Sequence, residues 1–160
     1  MLELRGISKI YNPGTVTELC LFDDFSFKVA DGEFVSVVGS NGSGKTSMLN
    51  IICGSIPVSG GEVLIDGKNI NSLREYKRYR MIGRVYQNPA AGTCPDMTIL
   101  ENMSLADNKG KRYGLSFGVN NSRKNYYKEQ HSSLGLGLED KLDAKLGALS
   151  GGQRQAVSLP

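Results

Sequence analysis

The sequence has no tryptophan, a single histidine and only three cysteines. Cys20, Cys53 and Cys94 are odd in number and widely separated, which argues against a disulfide framework or a closely spaced zinc site, so we expect reduced thiols. No apolar run approaches the roughly 18 residues of a membrane span. The start of the chain also lacks the basic and apolar pattern of a signal peptide. We therefore expect a soluble chain in the cytosol.

An excess of charge of one sign is also lacking. The 160 residues carry a net charge of +3, which is too small an excess to indicate a nucleic-acid partner. Hydrophobic residues make up 39% and charged residues 22%, which is typical of a globular chain and not of a disordered one. We expect one domain that buries a core.

The first half of the chain carries the patterns of an α/β fold. Period-two alternation and β-rich runs predict strands over residues 2–11, 21–29, 34–38, 62–66 and 81–86. Apolar residues at helical spacing predict helices over residues 45–53, with Gly54 as the C-cap, and over residues 73–80. Strands and helices that alternate in this way form an α/β architecture.

The second half has the patterns of helices. Thr98 and Glu101 form a capping-box pattern that begins one helix, and a polar helix is predicted from Arg123 to Leu134. The expected division places antiparallel strands and a phosphate-loop α/β half in residues 1–87. A mainly helical region follows in residues 88–150.

A glycine-rich segment lies between the third predicted strand and the first predicted helix. It has the phosphate-loop pattern of Gly, four free positions, Gly-Lys and then Ser or Thr, and its residues are Gly39, Ser40, Asn41, Gly42, Ser43, Gly44, Lys45 and Thr46. Glycines let successive main-chain N–H groups face one phosphate, and the helix N-terminus also favours an anion. Lys45 is expected to reach the β- and γ-phosphates, and the Thr46 hydroxyl is expected to bind Mg²⁺.

A second segment narrows the choice among the kinases, GTPases and ATPases that share this loop. A GTPase would carry Asn-Lys-x-Asp, but the nearest string begins at Asp140, so we set a GTPase aside. Ser150 and Gln153 form another capping-box pattern, and the two glycines between them allow close approach to a ligand. The two segments together predict a nucleotide site.

These segments resemble the ATP-binding-cassette (ABC) family, whose signature motif matches all seven positions from Leu149 to Gln155. The resemblance implies a phosphate-loop NTPase fold with N-terminal antiparallel strands, an α/β core and a helical subdomain. It also implies two cassettes arranged head to tail, so that each signature covers the nucleotide held by the other cassette. The residues expected to act across this dimer are Ser150, Gly151, Gly152 and Gln153.

The resemblance gives roles to further residues. Tyr11, at the end of the first strand, is expected to stack on adenine. Gln87 resembles the Q-loop glutamine of the family, which contacts Mg²⁺ and the attacking water. Contacts to the nucleotide are expected along the whole loop from Gly39 through Ser47, and the implied cofactors are ATP and Mg²⁺.

The acidic strand motif (Walker B Asp and Glu) and the switch histidine of the family do not occur among these 160 residues. Because that Asp helps to hold Mg²⁺ and that Glu is the general base, we expect no hydrolysis by this chain alone. We also expect an incomplete core sheet, with unpaired edges and exposed apolar surface. His131, which precedes the signature, is expected to lie on the surface.

By resemblance, the expected function is that of the ATP-binding subunit of an ABC transporter, which couples ATP binding and hydrolysis to solute transport. The expected partners are a second nucleotide-binding domain and a separate transmembrane permease subunit. The permease would hold the chain at the cytoplasmic face of the membrane, and separate subunits favour an importer. Two alternatives stay open: a nucleotide-binding module without hydrolysis, and a soluble ABC ATPase that works outside transport.

Overall fold

The computed structural model describes residues 1–109 and 118–158. The chain forms two compact units, Met1–Ile82 and Gly83–Pro160. Residues 110–117 lie outside the described residues, as do the last two residues. Residues 110–117 belong to the stretch 107–122, for which the content of Gly, Asn, Lys and Ser predicts a flexible connection within the mainly helical region. Each unit is described by itself.

The first unit contains a four-stranded antiparallel sheet. Its strands are β1 (Leu2–Tyr11), β2 (Leu19–Val29), β3 (Gly60–Ile65) and β4 (Lys68–Asn69), and they lie side by side in the order β2-β1-β3-β4. The predicted first, second and fourth strands are therefore confirmed, with shifts of one or two residues at their ends.

Gly61 allows β1 and β3 to approach each other closely at a point where their register is irregular. Gly61 has a φ of +84°, and a Cβ atom there would lie 2.3 Å from the carbonyl oxygen of Gly6. Every other residue would therefore clash with backbone and also be strained. The pairing of β1 with β3 shifts register between Arg5 and Ser8, beside this contact.

Helix α1 (Lys45–Cys53) packs on the sheet and confirms the helix predicted for these residues. It ends at Gly54, whose left-handed φ of 89° fits the predicted C-cap. The core of the unit joins the helix to the strands through Leu4, Ile7, Met48, Ile51, Ile52, Val63 and Ile70. The second helix, α2 (Glu75–Arg78), is shorter than the predicted helix over 73–80.

Two predicted strands are wrong. Residues 34–38 and 81–86 pair with no strand among the described residues. The apolar pattern of residues 34–38 instead lies in solvent, with Phe34 95% exposed and Val38 90% exposed. The physical reason is that a strand exists only through hydrogen bonds to a neighbouring strand, which the local pattern does not supply. The expectation of an incomplete core sheet is confirmed.

The second unit is helical, as predicted. Its α-helices are α3 (Ile99–Asp107), α4 (Lys124–Ser132) and α5 (Gly151–Val157). Thr98 and Glu101 form the predicted capping box at the start of α3. The buried cluster consists of Ile99, Leu100, Met103, Tyr127, Leu138, Leu142, Leu146, Leu149, Ala156 and Val157. Within the described parts of both units, the helices are all too short or too polar to cross a bilayer.

The prediction that His131 lies on the surface is wrong. The side chain is fully buried, and neither ring nitrogen has a hydrogen-bond partner among the residues that the structure describes. His131 lies one helical turn after Tyr127, which is also buried, so both residues belong to the inward face of α4. Because α4 is polar along most of its length, its sequence does not show that His131 lies on the buried face.

Candidate functional site

The phosphate loop is an exposed turn that leads directly into α1. Gly42 and Gly44 have φ values of +84° and +90°, which are left-handed conformations that side chains disfavour. Gly44 is also the N-cap of α1, and as a glycine it offers no side chain to the first-turn N–H groups. Those groups, which belong to Lys45, Thr46 and Ser47, are left for solvent or for an anion.

Lys45 folds back over the start of the loop. Its Nζ donates hydrogen bonds to the carbonyl oxygens of Gly39 at 2.7 Å and Ser40 at 2.6 Å, and lies 3.4 Å from Ser43 Oγ. The ammonium is therefore surrounded by loop oxygens. A phosphate in this loop would meet a positive charge that is already in position.

Gly44 is required for a second reason, which the sequence does not reveal. A Cβ atom at this position would lie 2.9 Å from the Cζ atom of Phe22 and 3.4 Å from the Cδ1 atom of Leu21, both on β2. Phe22 thus packs directly against the turn between the phosphate loop and α1. Only a glycine lets the backbone approach this aromatic ring so closely.

Tyr11 lies at the end of β1, as predicted, and it is half-buried. The Nζ atom of Lys9 lies 4.8 Å from the centroid of its ring, which is a cation–π contact. Lys9 pairs across the sheet with Phe22, the residue that touches Gly44. Through this contact the structure places Tyr11 and the phosphate loop in the same region of the first unit.

The signature segment forms the predicted capped helix. Ser150 Oγ accepts from the backbone N–H of Gln153, and the Ser150 N–H donates to Gln153 Oε1, both at 3.3 Å. Gly151 and Gly152 are exposed, and a Cβ atom at either position would meet nothing within 4 Å. Neither has the positive φ that favours glycine. Contacts within the described chain therefore give no reason for two glycines at this helix start.

Gln87 is exposed and lies in the second unit, in the segment that leads to a short 3₁₀ helix, Pro89–Ala91. Its preceding residue, Tyr86, accepts a hydrogen bond through its carbonyl oxygen from Gln155 Nε2 at 3.1 Å. This bond ties helix α5 to the Gln87 segment. Sequence reasoning gave Gln155 no site role, because a bond between residues so far apart in the chain leaves no local pattern.

The described residues contain no group of three or more His, Cys, Asp or Glu side chains that could hold a metal ion. A divalent cation would here depend on hydroxyl and amide oxygens together with oxygens of a bound phosphate. The Thr46 hydroxyl, on the first turn of α1, has the chemistry that Mg²⁺ prefers.

The glycine loop and the helix that follows it place this chain in the class of phosphate-loop NTPases. Within that class, the model of the family described as ABC transporter matches residues 22–160. The chain belongs to the ABC transporter family.

Proteins of known sequence and structure agree with this assignment. The tyrosine transport ATP-binding protein of Clostridioides difficile is 44% identical over 99% of this chain and 63% of its own length. The sn-glycerol-3-phosphate import ATP-binding protein of Cupriavidus metallidurans is 34% identical over 99% of this chain and 39% of its own. This chain thus spans less than two thirds of both relatives.

The fold matches solved ABC cassettes. A dimeric ATP-binding cassette in a post-hydrolysis state, bound to ADP and Pi, has a TM-score of 0.79 at 31% identity, over 99% of this chain and 67% of that one. A nucleotide-free cassette has a TM-score of 0.72 at 25% identity, over 100% of this chain and 66% of that one.

Proposed function

We propose that this chain binds Mg-ATP as part of the nucleotide-binding subunit of an ABC transporter, and that the complete subunit couples ATP hydrolysis to solute transport. The observation that carries the proposal is the loop before α1, where glycine turns, free first-turn N–H groups and the Lys45 ammonium converge. No other ligand chemistry fits this set as well as a polyphosphate does.

In this proposal the phosphates contact Gly39, Ser40, Asn41, Gly42, Ser43, Gly44, Lys45, Thr46 and Ser47. By resemblance to the family, Thr46 and Gln87 would hold Mg²⁺, which would neutralise charge on the transferred phosphate. Tyr11 stacks on adenine. The functional division is into residues 1–87, which grip the nucleotide, and residues 88–150, which form the helical subdomain.

A second copy of the cassette is the first proposed partner. Gly151 and Gly152 lie open to solvent at a capped helix start, where small residues permit close approach by an external group. We place that group, the γ-phosphate held by the other copy, against Ser150, Gly151, Gly152 and Gln153. A cassette 31% identical to this chain is a dimer bound to ADP and Pi, which supports a second copy as the partner.

The second proposed partner is a transmembrane permease, which would hold the chain at the cytoplasmic face of the membrane. Relatives of this chain are named for tyrosine transport, for sn-glycerol-3-phosphate import and for spermidine and putrescine import. Uptake is therefore the favoured direction. Because these solutes differ so widely among relatives of this chain, we propose that solute choice belongs to other subunits.

The test is a calorimetric titration with Mg-ATP and with magnesium tripolyphosphate, which carries the phosphates without a base. Lys45→Ala removes the charge at the centre of the loop, so both ligands should bind about ten- to a hundredfold more weakly. Lys77→Ala removes the same charge from the exposed surface of the same unit and should change neither affinity. Equal binding of both ligands by wild type and Lys45→Ala would overturn the proposal.

A further inference from the structure

Lys9 and Tyr11 lie on the same face of β1. Residues two apart on a strand share a face, and the Lys9 ammonium lies 4.8 Å from the centroid of the Tyr11 ring. Lys9 is half-buried, so its aliphatic stem is packed along the sheet and its charged end is at the aromatic ring. A long cationic side chain loses rotamer freedom in this arrangement, which the cation–π contact offsets.

The same face of the sheet carries the contact with the phosphate loop. Lys9 is the cross-strand partner of Phe22, and side chains directly opposite each other in an antiparallel pair project to the same face. Phe22 in turn reaches to within 2.9 Å of the position that a Cβ atom of Gly44 would occupy. The ring contact of Lys9 with Tyr11, its pairing with Phe22 and the approach of Phe22 to Gly44 thus link Tyr11 to the phosphate loop.

We propose that Lys9 is a positioning residue for the nucleotide base: its ammonium covers one face of the Tyr11 ring and fixes the ring so that the other face receives adenine. This inference rests on the proposed function, in which Tyr11 stacks on the base. A phenol ring at a strand end is otherwise free to turn about its first side-chain torsion, and a mobile ring makes a poor stacking surface. Lys9 limits that motion from within the same strand.

The inference separates base binding from phosphate binding. Lys9→Gln removes the cation and keeps a side chain of comparable length, so Mg-ATP affinity should fall by about three- to tenfold. Affinity for magnesium tripolyphosphate, which has no base, should stay within about twofold of wild type. Lys9→Arg keeps a cation over the ring and should restore the ratio of the two affinities.

Two controls test whether the effect of Lys9→Gln comes from the position of Lys9, and not from a loss of net charge or of folded structure. Lys28→Gln removes the same charge from an exposed site on β2 and should leave both affinities unchanged. Circular dichroism spectra of all variants should overlay that of wild type. If Lys9→Gln lowers both affinities equally, or leaves their ratio at the wild-type value, the positioning role is wrong.

A fluorescence measurement tests the ring contact without ligand. The chain has no tryptophan, so Tyr11→Trp introduces a single reporter at the proposed stacking position. Adding Lys9→Gln to this variant should increase quenching of its emission by acrylamide, because the ring loses its cover. Unchanged quenching would overturn the inference. If wild type and Lys45→Ala bind tripolyphosphate equally well, the proposed function fails instead, and the Lys9 inference fails with it.

Discussion

Arg78 is a buried cation that links the end of α1 to the segment that precedes α2. It is 5% exposed, and its guanidinium donates to the carbonyl oxygens of Ile51 at 2.9 Å and Ile52 at 3.1 Å, near the end of α1. It also donates to Leu73 and Asn71. Burial lowers the pKa of the guanidinium, with Cys53 acting in the opposite direction. The residue supplies donors to carbonyl groups at the helix end, where the carbonyl oxygen of Ile51 also accepts from the N–H of Gly54 at 3.1 Å.

Replacing Arg78 should therefore loosen α1. Arg78→Leu removes a donor from four carbonyl oxygens, of which, among the described residues, only that of Ile51 keeps a backbone N–H partner, from Gly54. We expect a loss of about 3 kcal/mol in local stability. The measurement is hydrogen exchange of the α1 amides. Lys77→Leu, at the neighbouring exposed position, is the control. If the two variants exchange at the same rate, Arg78 does not stabilise this helix.

His131 predicts a dependence of stability on pH. Burial lowers the pKa of its imidazole below the ordinary value of 6.5, and Glu139 opposes this shift. The unfolded chain therefore binds the proton at a higher pH than the folded chain does. Acidification through about pH 6.5 must then favour unfolding, and the loss is complete only below the folded-state pKa.

The variant His131→Leu removes the titrating group, and with it two buried nitrogen atoms that have no partner in the described part of the chain. The α4 amides of the variant should keep their protection from exchange as the pH falls from about 7 to about 5, whereas those of wild type should lose it. The difference in protection at the upper pH reports the change in packing together with the removal of the two buried ring nitrogens. Parallel losses in both chains would show that His131 is not the titrating group.

At the scale of the element, α5 begins with two residues that weaken it. Glycine in a helix costs roughly 1 kcal/mol relative to alanine, and Gly151 and Gly152 have room for a larger side chain. Gly151→Ala and Gly152→Ala should therefore increase protection of the α5 amides. The same variants should reduce ATP-dependent dimerisation, because under the proposed function the added methyl groups would face the nucleotide of the second copy.

Sedimentation velocity with and without Mg-ATP measures this loss of dimer. Gly118→Ala is a matched control, since Gly118 also has open space around it and lacks a positive φ. Normal dimerisation by the Gly151 and Gly152 variants would count against the proposed contact across the dimer.

Elements with local signals were predictable from the sequence. Helix α1 has apolar spacing and a C-cap glycine, and the starts of α3 and α5 have capping boxes, so residues within one or two turns determine them. Residues 34–38 carry an equally clear β pattern but form no strand, because pairing depends on a distant neighbour. The burial of His131 likewise depends on which face of α4 meets the core.

The candidate site divides in the same way. The phosphate loop and the signature were predictable because each has a fixed spacing of residue types. Lys9, Phe22 and Gln155 were not, since each acts through a residue that lies far away in sequence or across a strand. Finding them requires the register of β1 and β2, which a pattern of alternation does not give.

At the scale of the whole molecule, large apolar side chains are open to water. Phe34 and Val38 are almost fully exposed, and the two units have separate buried clusters. Such a chain should bind a hydrophobic dye and should unfold over a broad temperature range.

The measurement is dye fluorescence and thermal unfolding of the monomer. Replacing both exposed residues, as Phe34→Ser with Val38→Thr, should lower dye binding, whereas Val16→Thr, at another exposed position, should lower it less because Val16 lies apart from this run. A single sharp transition without dye binding would contradict the expectation.

The hydrogen bonds of Lys45 to Gly39 and Ser40 bear on how a ligand enters the loop. The Lys45 ammonium holds these two carbonyl groups in place, so the phosphate loop has its curved conformation before a phosphate binds. A polyphosphate then binds to a loop that is already ordered. The conformational entropy of the loop backbone is therefore lost during folding and not during binding. The Lys45 side chain thus orders the loop first and neutralises the bound phosphate afterwards.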